Sequence, residues 1–560
     1  VTGTATAGSG DAALEQLIRE RFDELMAAWP SRATSLGIHE HDGRLPDLSR
    51  AAREADMAAE RRFIGRLEAI DAATLSERAD FERELASHAA RLRLFEDEVV
   101  RGWQRRTVAS DEIGDALFLL MARDFAPPAV RLEAMGSRIE GVPVALRQVR
   151  DNLDPDRVAL WLHLERQAAD ELPQLIGEIV GQGRRTWGTG PSWRRLVAAA
   201  DAAVVALAEY ADWLEQQAEG AGDHVALGRD DLDTLVALRA FDGLDTDDIL
   251  AIGEEQLEAM HRERRAAGRE IDPGASEAEI VARVKADGPA DFDAALAGYR
   301  DAMLRAREFL RREGLVTLPE GDILEVVPTP RHMRSTMPLA AYFEPAAFDR
   351  PIRGVYVVTP SVDDDPGAMR EHNWSSIVNT SVHEAYPGHH LQLSAALSSP
   401  SPARLLVEAP EFVEGWGMYC EQLMLEAGFE VSPQRRVIVA TDAIWRAARI
   451  ILDIKLHRGE MTLAAAIDFL VAHTGFEPAV ARAEVYRYTQ TPGYALSYLL
   501  GKVLLLRLRA DEQARLGDAF SLRAFHDALI YSGSLPVSFQ RRLLAGEGGG
   551  PTRPPATRTS

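Results

Sequence analysis

The sequence predicts a mainly α-helical protein with one small β-sheet near residues 320–360. Three observations carry this reading. The 560-residue chain is rich in Ala, Leu, Arg and Glu, residues that lose little conformational freedom in a helix. From about residue 11 to 320, and again from about 370 to 545, apolar residues recur at helical spacing, as in ALEQLIRERFDELMAAW and LVAAADAAVVALAEYADWLEQQ. Between these stretches, ILEVVPTP and GVYVVTP are short β-rich runs bounded by Pro, and they read as strands.

Pro and Gly mark the breaks between helical runs, as in FAPPA, WGTGPSW and AEGAGDH. The change of texture divides the chain into a helical lobe over 11–320 and a lobe of short strands and helices over 321–545. Residues 1–10 are small and polar, and residues 546–560 are rich in Gly, Pro, Ser and Thr. Both ends are expected to be disordered. SVDDDPGAMRE, from residue 361, reads as a loop. The Glu/Arg-rich helix faces read as solvated surface.

Composition narrows the function. A hydrophobic content of 46% supplies a large core. The formal net charge of -24 repels phosphate backbones and anionic headgroups, so no nucleic acid and no membrane partner is expected. Cys420 is the only cysteine, which excludes an internal disulfide and a Cys-based metal site. No apolar run of about 18 residues is present to cross a membrane. VTGTATAGSG lacks the basic and apolar regions of a secretion signal. The expected location is cytoplasmic, although a mature exported chain would read the same way. The sequence leaves the oligomeric state open.

The chemistry concentrates in HEAYPGHH, residues 383–390. Two His one helical turn apart, with Glu beside the first, bind Zn2+ in hydrolases of the HExxH type, and the Glu acts as general base. Here the second His stands at i+6 (His389) or i+7 (His390). On a straight helix, i+6 points about 120° away from His383, and i+7 lies roughly 10 Å along the axis. Neither position could share an ion with His383. Pro387 lacks an N–H and clashes with the carbonyl four residues back, so the helix must bulge or break at Pro-Gly. The break returns a later His to the metal.

Glu414 in EFVEGWGMYCEQLMLE is the candidate third ligand. Glu421, two turns on and on the same face, is a candidate carboxylate behind a ligand or a substitute for it. Trp416, Met418 and Tyr419 read as core, and Cys420 as a buried apolar side chain. In WRAARIILDIKLH, Arg446, Arg449, Asp453 and His457 share one helix face. Asp453 and His457 are candidates for alternative ligands or ligand support. Arg449 is a candidate for binding a substrate carboxylate, and Arg446 reads as an ion-pair residue. The segment from Tyr342 to Pro360 is where an edge strand could pair with a substrate backbone.

VNTSVHEAYPGHHLQ, FVEGWGMYCEQL and PGYALSYLLGK resemble the motifs of the bacterial domain-of-unknown-function 885 family over most of the chain. More distantly, the layout resembles the thimet oligopeptidase and neurolysin family of zinc peptidases. That family carries HExGH, then Phe-Val-Glu about 25 residues later, then a Gly-Tyr and Ser-Tyr-Leu region. Aligning its Gly-His with Gly388-His389 leaves a two-residue insertion and brings Phe412-Val413-Glu414 into register. The resemblance therefore favours His389 over His390. It implies that Tyr498, or else Tyr494, donates to the oxyanion of the transition state. It also implies a two-lobed helical body around a recessed cleft that admits short peptides.

The expected function is a zinc-dependent metallopeptidase. His383, His389 and Glu414 would be ligands and Glu384 the base, with a small peptide or amide as substrate. The alternatives are hydrolysis of a non-peptide amide or ester, and a helical binding protein with a degenerate, metal-free site.

Overall fold

The computed structural model describes residues 8–329, 334, 339–360, 369–398, 401–552 and 554. It is mainly helical with one three-stranded sheet among the described residues. The chain falls into two compact units. One comprises Val1–Ala79, Ala86–Val225 and Ala346–Asp349. The other comprises Asp80–Leu85, Ala226–Pro345 and Arg350–Ser560.

The first unit is built on helices α1 (Ala109–Ala122), α2 (Pro128–Arg150), α3 (Ala159–Trp187) and α4 (Pro191–Ala218). Leu132, Met135, Ile139, Val142, Leu146 and Val149 line one stripe of α2 at alternating three- and four-residue steps. They bury against Ile176 and Ile179 of α3 and Leu196 and Leu207 of α4. Such a stripe is what hydrophobic burial selects in a surface helix.

The second unit carries α5 (Thr246–Ile271), α6 (Phe292–Glu313), β1 (Ile323–Pro328), β2 (Ala340–Phe343) and β3 (Arg353–Val358). It continues with α7 (Trp374–Glu384), α8 (His389–Ala396), α9 (Pro410–Glu426), α10 (Pro433–His457) and α11 (Ser497–Leu516). Its long helices α5 and α10 pack lengthwise. Strand order is β1-β3-β2, with β1 parallel and β2 antiparallel to β3. Tyr356 of β3 is fully buried and meets the Tyr299 ring of α6 edge-on, 5.8 Å between centroids.

One expectation is corrected here and another is narrowed. The main division falls after Val225, not near residue 320. The helices of residues 226–320 resemble the earlier ones in composition, but they bury their apolar faces elsewhere: Ala267, Ile280 and Val284 form a cluster with Val437 and Ile438 of α10. Texture reports which residues seek burial, not the partner they find. Within the segment from Tyr342 to Pro360, only the Tyr342 end lies at the sheet edge. β3 is the central strand, paired on both sides, and β2 with Tyr342 forms the edge.

Of the two ends, residues 8–10, 546–552 and 554 are among the described residues, and several of them are bonded to the body. Gly8 and Gly10 donate to the Thr74 carbonyl at 3.0 Å. Glu547–Gly549 forms a 3-10 turn, and Thr552 donates to Ser532 Oγ at 3.0 Å. Backbone donors with partners of this kind hold a Gly-rich segment in place. The expected disorder at residues 1–7, 553 and 555–560, and the loop at residues 361–368, lie outside the described residues.

Candidate metal centre

The Pro-Gly segment does what the steric argument requires. α7 stops at Glu384, and α8 starts at His389. Between them the chain makes a wide turn, closed by Gly388 N–H donating to the Val382 carbonyl at 3.0 Å. Trp416 of α9 donates its indole N–H to the Pro387 carbonyl at 2.8 Å, pinning the turn to the next helix. The turn reorients the second His. The His383 and His389 rings lie 4.6 Å apart and perpendicular.

Glu414 joins them from α9. Its Oε2 stands 3.7 Å from His383 Nε2 and 3.6 Å from His389 Nε2. Tetrahedral ligands at zinc bond lengths lie about 3.3 Å apart, so this separation fits one shared ion. A carboxylate oxygen of Glu384 lies within 4.8 Å of ring nitrogens of both His. His383 Nδ1 is 2.8 Å from Glu421 Oε1. That bond orients the ring and points Nε2 toward Glu414, the usual support for a metal-binding imidazole. Asn379, one turn before His383, donates to Glu421 Oε2 at 3.0 Å and holds it.

His390 turns the other way. Fully buried, it places Nδ1 3.0 Å from the Tyr342 hydroxyl and Nε2 3.2 Å from Asp322. Tyr386 and Arg307 also bond Asp322. Both His390 nitrogens are thereby committed to protein groups, away from the cluster of His383, His389 and Glu414.

Two glycine positions allow this crowding. A Cβ on Gly417 would come within 2.6 Å of His383 Cε1, so α9 can lie against that ring only without a side chain there. At Gly415 a Cβ would stand 2.5 Å from the Gly501 carbonyl carbon, so α9 and α11 cross backbone to backbone. That crossing brings Tyr498, on the first turn of α11, toward Glu414.

Burial opposes charge on His383, but its bonds to Glu414 and Glu421 outweigh burial and lift its pKa to about 10. Burial would raise Glu414, yet bonds to His383 and His389 hold it well below the usual carboxylate range. Burial pushes Glu384 upward against the pull of both imidazoles. Three carboxylates face two imidazoles in a desolvated space, an arrangement that attracts positive charge. With no thiol and a mixed His/carboxylate donor set, zinc fits the residues present.

The stripe on α10 is shared between different tasks. Asp453 accepts the backbone N–H groups of Gly493 and Ala495 at 2.9 and 3.1 Å. His457 Nε2 lies 3.1 Å from the Tyr488 carbonyl. Both hold the turn that precedes Tyr498, and neither reaches the His383–His389–Glu414 cluster. Arg449 is buried. Its Nε donates to the Tyr488 hydroxyl at 2.9 Å, and its guanidinium stacks on Trp445 and Tyr498 at 3.9 and 4.7 Å. It is therefore committed to the protein rather than to a substrate carboxylate, because the same face that points inward also finds Tyr488 and Glu484. The Tyr494 and Tyr498 rings meet edge-on, 6.0 Å apart. Burial and the nearby Glu414 charge raise the Tyr498 phenol well above its ordinary value, so it keeps its proton to donate. Trp416, Met418, Tyr419 and Cys420 are buried core, as expected.

The sequence reading did not identify Asn379, Asp322 or Gly417, and it named Tyr342 only as the start of an edge-strand segment. Asn379 had a detectable signal, since it precedes His383 by one turn. Asp322 had none, because its partner is 68 residues away in the chain.

A mainly helical body with a His/His/Glu cluster at a broken helix defines a class of candidate metalloproteins. Within it, the chain belongs to the family described as "Bacterial protein of unknown function (DUF885)", whose pattern matches residues 30–544. No curated protein matches it. Two solved structures share the fold. One, from Shewanella oneidensis, is provisionally named a lipoprotein of unknown function. It is 22% identical, with a TM-score of 0.79 over 95% of this chain and 99% of that one. The other, from Colwellia psychrerythraea and also provisionally named a lipoprotein, is 18% identical, with a TM-score of 0.81 over 95% and 98%. The more distant likeness to thimet oligopeptidase and neurolysin draws no support from these comparisons. Among the described residues, no helix is long and apolar enough to cross a membrane.

Proposed function

We propose that this chain is a zinc-dependent hydrolase, a metallopeptidase acting on short peptides. The observation that carries the reading is the convergence of His383, His389 and Glu414, with a Glu384 carboxylate oxygen within 4.8 Å of both imidazoles. His383, His389 and Glu414 would hold Zn2+. When bound, the ion supplies a Lewis acid that acidifies water and polarises the scissile carbonyl. Glu384 then takes a proton from the attacking water and delivers it to the leaving amine. Tyr498, a protonated phenol close to Glu414, donates to the developing oxyanion. Arg449, stacked on its ring, and Asp453, holding the preceding turn, position it.

The decisive assay pairs metal analysis of the purified protein with turnover of a short-peptide library. Zinc without cleavage of any peptide would remove the word peptidase. Two further outcomes are expected. Tyr498→Phe should lower kcat about 10²- to 10³-fold with KM little changed, because the lost donor acts only on developing charge. An unchanged kcat would exclude Tyr498 from that role. Glu421→Ala should weaken zinc about 10- to 100-fold in competition with a chelator, since His383 loses its orienting partner. Unchanged affinity would contradict the support role.

The lipoprotein names of the two structural relatives favour an exported chain over the cytoplasmic location expected from the sequence. Recovery in the cytoplasmic fraction of its native host would contradict export.

A further inference from the structure

The α10 face that carries Asp442, Arg446 and Arg449 runs beside the metal cluster. At one end, Asp442 accepts from Asn379 Nδ2 at 3.1 Å, and the same amide holds Glu421 behind His383. Toward the other end, Arg449 stacks on Tyr498. Arg446 lies between these two anchors, and its charge acts on both Glu384 and Glu421.

The two arginines differ in what they have left to give. Arg449 is committed to Tyr488 and Glu484. Arg446 lies 4.6 Å over the Trp445 ring, which fixes its plane. Its Nη1 makes a long 3.3 Å bond to the Asp442 carbonyl and stands 3.6 Å from the Asp442 carboxylate. Its Nε is buried without a partner, while the side chain keeps 17% of its surface exposed. A guanidinium carries five donors in a planar fork that matches a carboxylate. A buried donor without a partner is costly, and a ligand carboxylate would satisfy it.

We infer that Arg446 anchors the free C-terminal carboxylate of the substrate, so that the preferred substrates are short peptides cut close to their C-terminus. This rests on the peptidase reading above and adds the substrate end that the site recognises. Arg446 lies one turn from Asp442, whose partner Asn379 also holds Glu421 behind His383, so an anchored terminal carboxylate sets the last peptide bonds near the metal ligands. Longer chains that pass through without a terminus leave Nε unpartnered.

The test compares acetyl-trialanine, its C-terminal amide, and an amide-capped peptide of the same length carrying one Asp. Hydrolysis is followed with zinc-loaded protein. Binding is measured by calorimetry on zinc-loaded Glu384→Gln protein. A charge-assisted fork predicts a preference of about 10- to 100-fold for the free carboxylate, in kcat/KM and in Kd. Arg446→Met should remove that preference, read as the acid-to-amide ratio within each protein, so that any change in zinc affinity or in the base common to both substrates cancels. Equal treatment of acid and amide by the unaltered protein would overturn the inference and leave the peptidase reading standing. So would a preference that survives in Arg446→Met, or an internal Asp that serves as well as the terminus. If no peptide is cleaved and acid and amide bind alike, both readings fall. If none is cleaved but the free acid still binds more tightly and loses that advantage in Arg446→Met, the carboxylate anchor stands and only the peptidase reading falls.

Discussion

Glu384→Gln is expected to reduce turnover about 10²- to 10⁴-fold, the range of a lost general acid–base catalyst, while the protein still binds one zinc. The substitution conserves size and removes only the group that can accept a proton. Glu384 offers a carboxylate oxygen within 4.8 Å of both imidazoles, but Glu414 Oε2 stands 3.7 and 3.6 Å from His383 and His389 Nε2, and we assign the ligand role to Glu414. Loss of Glu384 therefore should not release the metal. Joint measurement of kcat and zinc content separates the roles. Retained activity would exclude Glu384 as the base. Lost zinc would make it a ligand in place of Glu414.

His389→Ala is expected to abolish zinc binding, and His390→Ala to preserve it. The contrast is sharp because the residues are adjacent and equally conspicuous in sequence. His389 shares Glu414 with His383, while His390 spends both ring nitrogens on Tyr342 and Asp322. Loss of metal at His390 with retention at His389 would reverse the assignment. His390→Ala should instead cost stability. It leaves the buried Asp322 carboxylate short of one partner, a loss worth about 1–3 kcal/mol, read as a lower denaturation midpoint.

The legible parts of this protein are those in which local chemistry constrains the backbone. Pro387 and Gly388 announce a helix break, and the structure breaks there. The spacing of Glu414 and Glu421 on one helix announces two carboxylates on one face, and both reach His383. What stayed hidden depends on distant partners. Helical periodicity identifies the inner face of α10 but cannot say that Arg449 meets Tyr488 and Tyr498 while Arg446 keeps an open donor. It cannot show that residues 226–320 pack on α10 rather than with the helices before them. The strand run at 354–360 is readable as β, but its central place in the sheet depends on β1 and β2 flanking it. Gly417 has no local signal at all, since its value lies in the imidazole that occupies its missing side chain's space.

The central claim is that His383, His389 and Glu414 form a zinc site, and metal analysis of the full-length protein purified without chelator tests it most directly. The account predicts close to one zinc per chain, lost in His389→Ala. A stoichiometry near zero, not restored by adding zinc, would contradict it.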